Sequence, residues 1–240
     1  MVRPDIEYIE YLVARNPDQM KVAEYQIIAE TIASKAPCNV LVFGVGNDSE
    51  LWYLSNPGGT TLFVEDCREW IDRVRRQFSQ HALDIHCHEY STRVREASNL
   101  LWPARRVVSV PAPLRQVIWD VIIVDGPMGY RKDDPGRVQP IAWAGRMARF
   151  SPRPVDIFVH DIHRPTEFLA CARFLGASRQ RGEVEHLGHF RFAPADKAHP
   201  LADAMRFLFR FGRIVIPRAW RALAGGSSGR RPNRGDEGSS

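Results

Sequence analysis

The sequence is poor in several things that would each have set a direction. It has four cysteines, Cys38, Cys67, Cys87 and Cys171, and no two of them form a CxxC pair. Neither a zinc site nor a disulfide framework is therefore suggested, and idle or buried thiols are expected. No apolar run approaches the roughly 20 residues that span a bilayer. The first residues place Asp5, Glu7 and Glu10 where a secretory signal would carry basic and then apolar side chains. A cytoplasmic protein is expected on that basis. A basic body is also missing. The net charge is +5, and eight arginines against three acids after residue 200 account for all of it, leaving residues 1–200 formally neutral. Without a basic face on the body to neutralise phosphates, nucleic acid is not an expected partner.

What is present is an alternation of short apolar runs and amphipathic stretches. Asn16-Pro17-Asp18 reads as a helix start, with Met20, Ala23, Ile27, Ile28 and Ile32 at helical spacing up to Lys35. Buried strands are expected at Asn39–Phe43, Thr60–Val64, Leu83–Cys87, Trp119–Val124 and Val155–Val159. Helices are expected at Glu50–Asn56, Arg68–Phe78, Pro135–Phe150 and Pro165–Leu175. Val184–Leu187 and Phe190–Phe192 read as a closing hairpin about Gly188. The pattern predicts an α/β fold, Rossmann-like, with a mostly parallel sheet and a terminal antiparallel hairpin. The expected organisation is an N-terminal helical segment (1–35), one catalytic domain (36–200), a basic aromatic segment (201–224) and a disordered Gly/Ser/Arg tail (225–240).

In such a sheet the ligand lies beyond the carboxyl ends of the strands, so the residues that terminate strands are the informative ones. Here they are Gly44-Val-Gly46-Asn-Asp48-Ser49, Glu65-Asp66, Asp125-Gly-Pro127 and His160-Asp161. Gly44 and Gly46 allow a tight turn, and Glu65, about twenty residues on, is placed to accept ribose hydroxyls. A third fingerprint glycine is absent, since position 49 is Ser. That disfavours a pyrophosphate, and with it an NAD(P) oxidoreductase, and favours an adenosyl ligand without phosphate. Asp125, His160 and Asp161 form a candidate base site, with either Asp125 or the His160/Asp161 pair as the base. A divalent metal, if one is used, would sit on the same three residues. Arg131, Lys132, Arg137 and Arg146 follow the Asp125 loop, and a guanidinium there could read a carboxylate on the substrate.

The blocks LVFGVGNDSELW (41–52), LFVEDCREWI (62–71), WDVIIVDGPMGY (119–130), DPGRVQPIAWAGRMAR (134–149) and DIFVHDIHRP (156–165) resemble, in order and spacing, the glucuronoxylan 4-O-methyltransferase and related xylan-biosynthesis family. The resemblance covers roughly residues 35–195. It implies an S-adenosylmethionine-dependent methyltransferase fold and methyl transfer to a sugar hydroxyl, O4 of a glucuronic acid unit. It places Gly44, Gly46, Asp48 and Glu65 at the cofactor, and Asp125, Tyr130, Arg137, His160 and Asp161 around the acceptor; their neighbours Ser49 and Asp66 are expected at the cofactor as well, and Arg131 and Arg164 at the acceptor. The expected partner is a uronic acid-containing glycan or its precursor. The alternatives are a non-catalytic glycan-assembly factor with the same core, or a methyltransferase for another small carboxylate-bearing acceptor. Residues 201–223 interleave Phe207, Phe209, Phe211 and Trp220 with arginines. They could touch an anionic membrane peripherally or pack on the domain as a helix.

Overall fold

A computed structural model describes residues 5–101 and 109–194. The expected segments 201–224 and 225–240 lie outside the described residues. In chain order the elements are α1 (Ile6–Arg15), α2 (Val22–Lys35), β1 (Asn39–Phe43), α3 (Ser49–Leu54), β2 (Thr60–Glu65), α4 (Arg68–Gln77), β3 (Asp84–Cys87), α5 (Ala97–Leu101), α6 (Ala112–Arg115), β4 (Val121–Val124), α7 (Val138–Arg149), β5 (Val155–Val159), α8 (Pro165–Ala170), β6 (Gln180–Val184) and β7 (Leu187–Phe192). A single π turn, Cys171–Leu175, continues α8.

The seven strands form one sheet in the order β3-β2-β1-β4-β5-β7-β6. β1 to β5 are parallel, and β7 runs antiparallel between β5 and β6. Side chains alternate across the sheet, as the two-residue period of a strand requires. Leu41, Phe43, Ile122, Val124, Ile157 and Val159 enter the core beneath α5, α7 and α8. Val40, Val42, Val121, Ile123 and Phe158 enter the core beneath α1, α2 and α4. Strands buried on both faces account for the unbroken apolar runs in the sequence. The order and the single reversed strand are those of the S-adenosylmethionine-dependent methyltransferase fold.

Two local expectations are corrected. Asn16 does not start a helix: its backbone N–H donates to Leu12 O and Val13 O, so it closes α1, and α2 begins at Val22. Glu24 opens α2 instead, accepting the Lys21 backbone N–H at 2.6 Å. Nor does the hairpin turn at Gly188. The turn is Glu185-His186, and Gly188 lies within β7, opposite Val159. A Cβ there would meet Ile162 Cδ1, which would have to shift to make room.

Candidate active site

The strand order reverses at β1, where the chain leaves β3 and returns on the far side as β4. The loops after β1 and β4 therefore part in opposite directions and open a crevice. They also touch at its floor. Gly44 has φ +105°, and a Cβ on Gly126 would lie 2.7 Å from Gly44 Cα. The two glycines are thus required by each other's backbone. Above them lies a cavity of about 570 Å³, within the usual range for a small-molecule site.

Gly44, Gly46, Asp48, Glu65 and Asp66 all line this cavity. Glu65 is held from three sides: Oε1 accepts the Asp66 and Cys67 N–H groups at 3.0 Å, and Oε2 accepts Val45 N–H at 3.2 Å. Burial pushes its carboxyl up to about 7. Asp48 sits at the start of α3 without capping it by a side-chain hydrogen bond. Burial and then the nearby Asp125 push its carboxyl up to about 7 as well. Ser49 differs from the rest of its group. It is fully buried, and its hydroxyl accepts Gly46 N–H at 2.9 Å, so it shapes the turn from behind and is not part of the wall.

Asp125 reaches the cavity from the end of β4, and His160 and Asp161 stand behind it. His160 Nδ1 lies 2.8 Å from Asp125 Oδ1, and its Nε2 lies 3.9 Å from the buried Glu24. Burial alone would pull the His160 imidazole down, but the hydrogen bond and charge of Asp125, then the charge of Asp161, outweigh it and hold it above the ordinary histidine range. Burial likewise opposes ionisation of Asp125, and here Arg137 and His160 outweigh it, keeping the carboxyl below the usual range. Asp161, at φ 60°, is turned into this network by a backbone conformation that non-glycine residues seldom adopt.

Arg137, expected near the acceptor, is engaged by the site's own acids. Its guanidinium is 4 % exposed, pairs with both Asp125 and Asp161, and donates to His160 O at 2.9 Å. Its Nε is left without a partner among the described residues, and the side chain is part of the cavity wall. Arg164 pairs with Asp161 at 2.8 Å and lies over the Tyr130 ring at 4.2 Å. Tyr130 is 68 % exposed at the cavity rim, and Arg131 beside it is exposed. Asp134 shapes this loop by accepting both of their backbone N–H groups. Arg146 is far from the site, in the last turn of α7 at the opposite end of the sheet. Donor atoms of Asp125, His160 and Asp161 all lie within 4.8 Å of one another, as a metal site would need. In the geometry described, Arg137 already balances the two carboxylates, so an ion there would have to displace it.

The wall also contains residues that sequence reading missed. Asn16, Gln19 and Tyr25 come from the α1–α2 segment, and Trp70 comes from α4. Asn47 donates to Asn16 Oδ1 at 2.8 Å, and the Trp70 indole N–H donates to Val45 O. Burial, then Asp48 and Asp125, push the Tyr25 hydroxyl far above its ordinary value, so it remains an O–H donor. Nothing in the local sequence marks these positions, because packing of the N-terminal segment and of α4 around the end of β1 brings them to the crevice.

Comparison with known proteins identifies relatives of this chain. The family model IRX15/IRX15L/GXM matches residues 23–107 and 104–190. Glucuronoxylan 4-O-methyltransferase 2 of Arabidopsis thaliana is 33% identical over 79% of this chain and 71% of that protein. Arabinogalactan O-methyltransferase 2 of the same plant is 31% identical over 78% of this chain and 72% of that one. Among solved structures, a methyltransferase-like protein from Silicibacter pomeroyi superposes with a TM-score of 0.48 at 16% identity, covering 78% of this chain and 94% of that one. Two matched stretches that together span residues 23–190 leave one conclusion on kinship: this chain belongs to the IRX15/IRX15L/GXM family.

Proposed function

We propose that this chain is an S-adenosylmethionine-dependent O-methyltransferase of polysaccharide biosynthesis, and that its acceptor is O4 of a glucuronic acid or related uronic acid unit. The observation that carries the reading is Asp125, ionised at the floor of a cofactor-sized crevice, with His160 hydrogen-bonded behind it.

The residues fit the cofactor. Asp48, Glu65, Asp66 and Asp125 surround the cavity with carboxylates, suited to a ligand bearing a sulfonium and an ammonium group. Glu65 offers oxygens to ribose hydroxyls, and no cluster of cations awaits a phosphate among the described residues that line the cavity. When bound, the cofactor supplies an activated methyl group. This chain's part is to hold the sugar oxygen in line with that methyl and to take the oxygen's proton. Asp125 accepts the proton, because it alone of the three candidate bases faces the cavity. His160, 2.8 Å behind, is the more basic partner and shares it across the hydrogen bond. Arg137 holds the pair of aspartates in place.

The exposed Tyr130 ring gives a pyranose a surface to stack on, and Arg131 and Arg164 flank it for a carboxylate. The test is a comparison of acceptors with full-length protein. A glucuronic acid-bearing xylooligosaccharide should be methylated, and the matching glucose compound should not. Arg131→Ala should raise KM for the former with kcat little changed. Equal rates on both acceptors would refute the uronic acid assignment.

A further inference from the structure

The wall of the cofactor-sized cavity is chemically divided. Acids gather on the loops after β1, β2 and β4, where Asp48, Glu65, Asp66 and Asp125 all face the cavity. They suit the sulfonium and the ammonium of S-adenosylmethionine, both cations. The amino-acid end of that molecule also carries a carboxylate, which the same acids would repel. Among the described residues that line the cavity the one cation is Arg137. Its guanidinium is paired with Asp125 and Asp161, and its unpartnered Nε is sealed from solvent.

Uncharged donors enter the wall from the segment that joins α1 to α2. Asn16 is committed to structure: its Nδ2 donates to Leu12 O at 2.8 Å and its Oδ1 accepts from Asn47. Gln19 N donates to Asn16 O at 3.0 Å, which sets Gln19 at the cavity, and its side-chain amide has no partner among the described residues. Tyr25 is 3 % exposed, so its side chain is more than nine-tenths buried, yet its hydroxyl also has no partner among the described residues. Nor is that hydroxyl sealed in the core, as the unpartnered Tyr90 Oη is. It can meet a ligand only through the cavity, whose wall Tyr25 helps to form.

The hydroxyl is also held in place. The Tyr25 ring packs on Trp52 with centroids 5.8 Å apart, and the turn beneath it is fixed by Glu24, which accepts Lys21 N and His186 N. A buried phenol without an acceptor destabilises a protein, and a rigid one that opens on a cavity is placed to donate to a bound ligand. A phenol serves here where a lysine would not. An ammonium so close to the acids would pair with them, as Arg137 does with Asp125.

We propose that Tyr25 Oη, assisted by the Gln19 side-chain amide, holds the α-carboxylate of S-adenosylmethionine through hydrogen bonds from uncharged donors. The carboxylate is then recognised without a cation, and the ammonium beside it is left to the acids. This subsite rests on the reading of the cavity as an S-adenosylmethionine site.

The experiment is titration calorimetry on the full chain with S-adenosylmethionine, with S-adenosylhomocysteine, and with decarboxylated S-adenosylmethionine, which keeps the sulfonium, amine and ribose and lacks the carboxylate. Wild-type protein should bind S-adenosylmethionine more tightly than the decarboxylated analogue. Tyr25→Phe keeps the ring on Trp52 and should leave Tm unchanged. It should weaken S-adenosylmethionine and S-adenosylhomocysteine alike by roughly ten- to a hundredfold, with the affinity for the decarboxylated analogue intact. Gln19→Leu should do the same to a smaller degree. Unchanged S-adenosylmethionine affinity in Tyr25→Phe overturns the proposal, and so does equal weakening of S-adenosylmethionine and its decarboxylated analogue. An effect confined to KM for the glycan would assign the hydroxyl to the acceptor and overturn it too. Each of these results leaves the cofactor reading standing, whereas a wild-type chain that binds neither S-adenosylmethionine nor S-adenosylhomocysteine refutes that reading and the subsite together.

Discussion

Arg137 bridges Asp125 and Asp161, with guanidinium nitrogens 3.2 Å from one carboxylate and 3.0 Å from the other. A buried arginine in that position is a strut of the site. Arg137→Met leaves two carboxylates facing each other in a site almost closed to water. Uncompensated buried charge of this kind costs about 3–5 kcal/mol. Chemical denaturation should show a loss of that order, with kcat falling further than cofactor affinity. Arg137→Lys should recover part of the stability, since a single ammonium cannot span both partners. Full stability in Arg137→Met would remove the strut role.

Because Asp125 lies in front and His160 behind, the pH–rate profile should report the pair. His160 must be neutral to share the proton, and its carboxylate neighbours raise its value above the ordinary histidine range. The rate should therefore rise with pH along a limb centred above about 6.5. Asp125→Asn removes the strongest source of that elevation. It should lower kcat by about 10²–10⁴-fold and move any residual limb to lower pH. A variant with the limb unmoved would show that the titrating group is not His160.

Glu65 and Asp48 give a second pH dependence with the opposite origin. Both carboxyls are raised to about 7 by burial, against ordinary values of 4.5 and 3.8. An acid raised in the folded state binds more protons than when unfolded. Across the window from about 4 to 7 the free protein should thus lose stability as pH rises. A cationic ligand favours the ionised forms, so S-adenosylmethionine should raise Tm more at pH 8 than at pH 6. Glu65→Ala should weaken binding by about 1–3 kcal/mol in calorimetry. Equal Tm increments at the two pH values would mean that neither group ionises on binding.

Much of this site could be read before any coordinates. Polar residues ending apolar strands can be recognised from sequence alone, which is why Gly44, Glu65, Asp125 and His160 stood out. What could not be read depended on tertiary juxtaposition. Tyr25 and Gln19 precede β1 in a helical context with no strand end to mark them, and Glu24 meets His186 N at 2.9 Å across 162 residues. The partners of Arg137 lie on two other strand ends, beyond any local pattern. Gly188 looked like a turn because the Ile162 side chain beside it is not local. The helical segment expected over 1–35 divides into α1 and α2, and α1 buries one face through Ile9 and Leu12.

The contact between Gly44 and Gly126 makes a prediction about the fold itself. Gly126→Ala would force a Cβ to within 2.7 Å of Gly44 Cα, where backbone and not a pliant side chain must yield. A loss of about 1–3 kcal/mol is expected, together with weaker S-adenosylmethionine binding as the crevice floor opens. An unaffected variant would show that the β1 and β4 loops have room to separate.

The most direct measurement is of the product. Full-length protein, S-adenosylmethionine carrying a ¹³C-methyl group and a glucuronic acid-substituted xylooligosaccharide should give an NMR methoxy signal coupled to C4 of the glucuronic acid. Asp125→Asn, still binding cofactor, should give little or none. A wild-type protein that binds the cofactor but leaves the oligosaccharide unmethylated would contradict the assignment, as would one that places the methyl elsewhere than on the uronic acid.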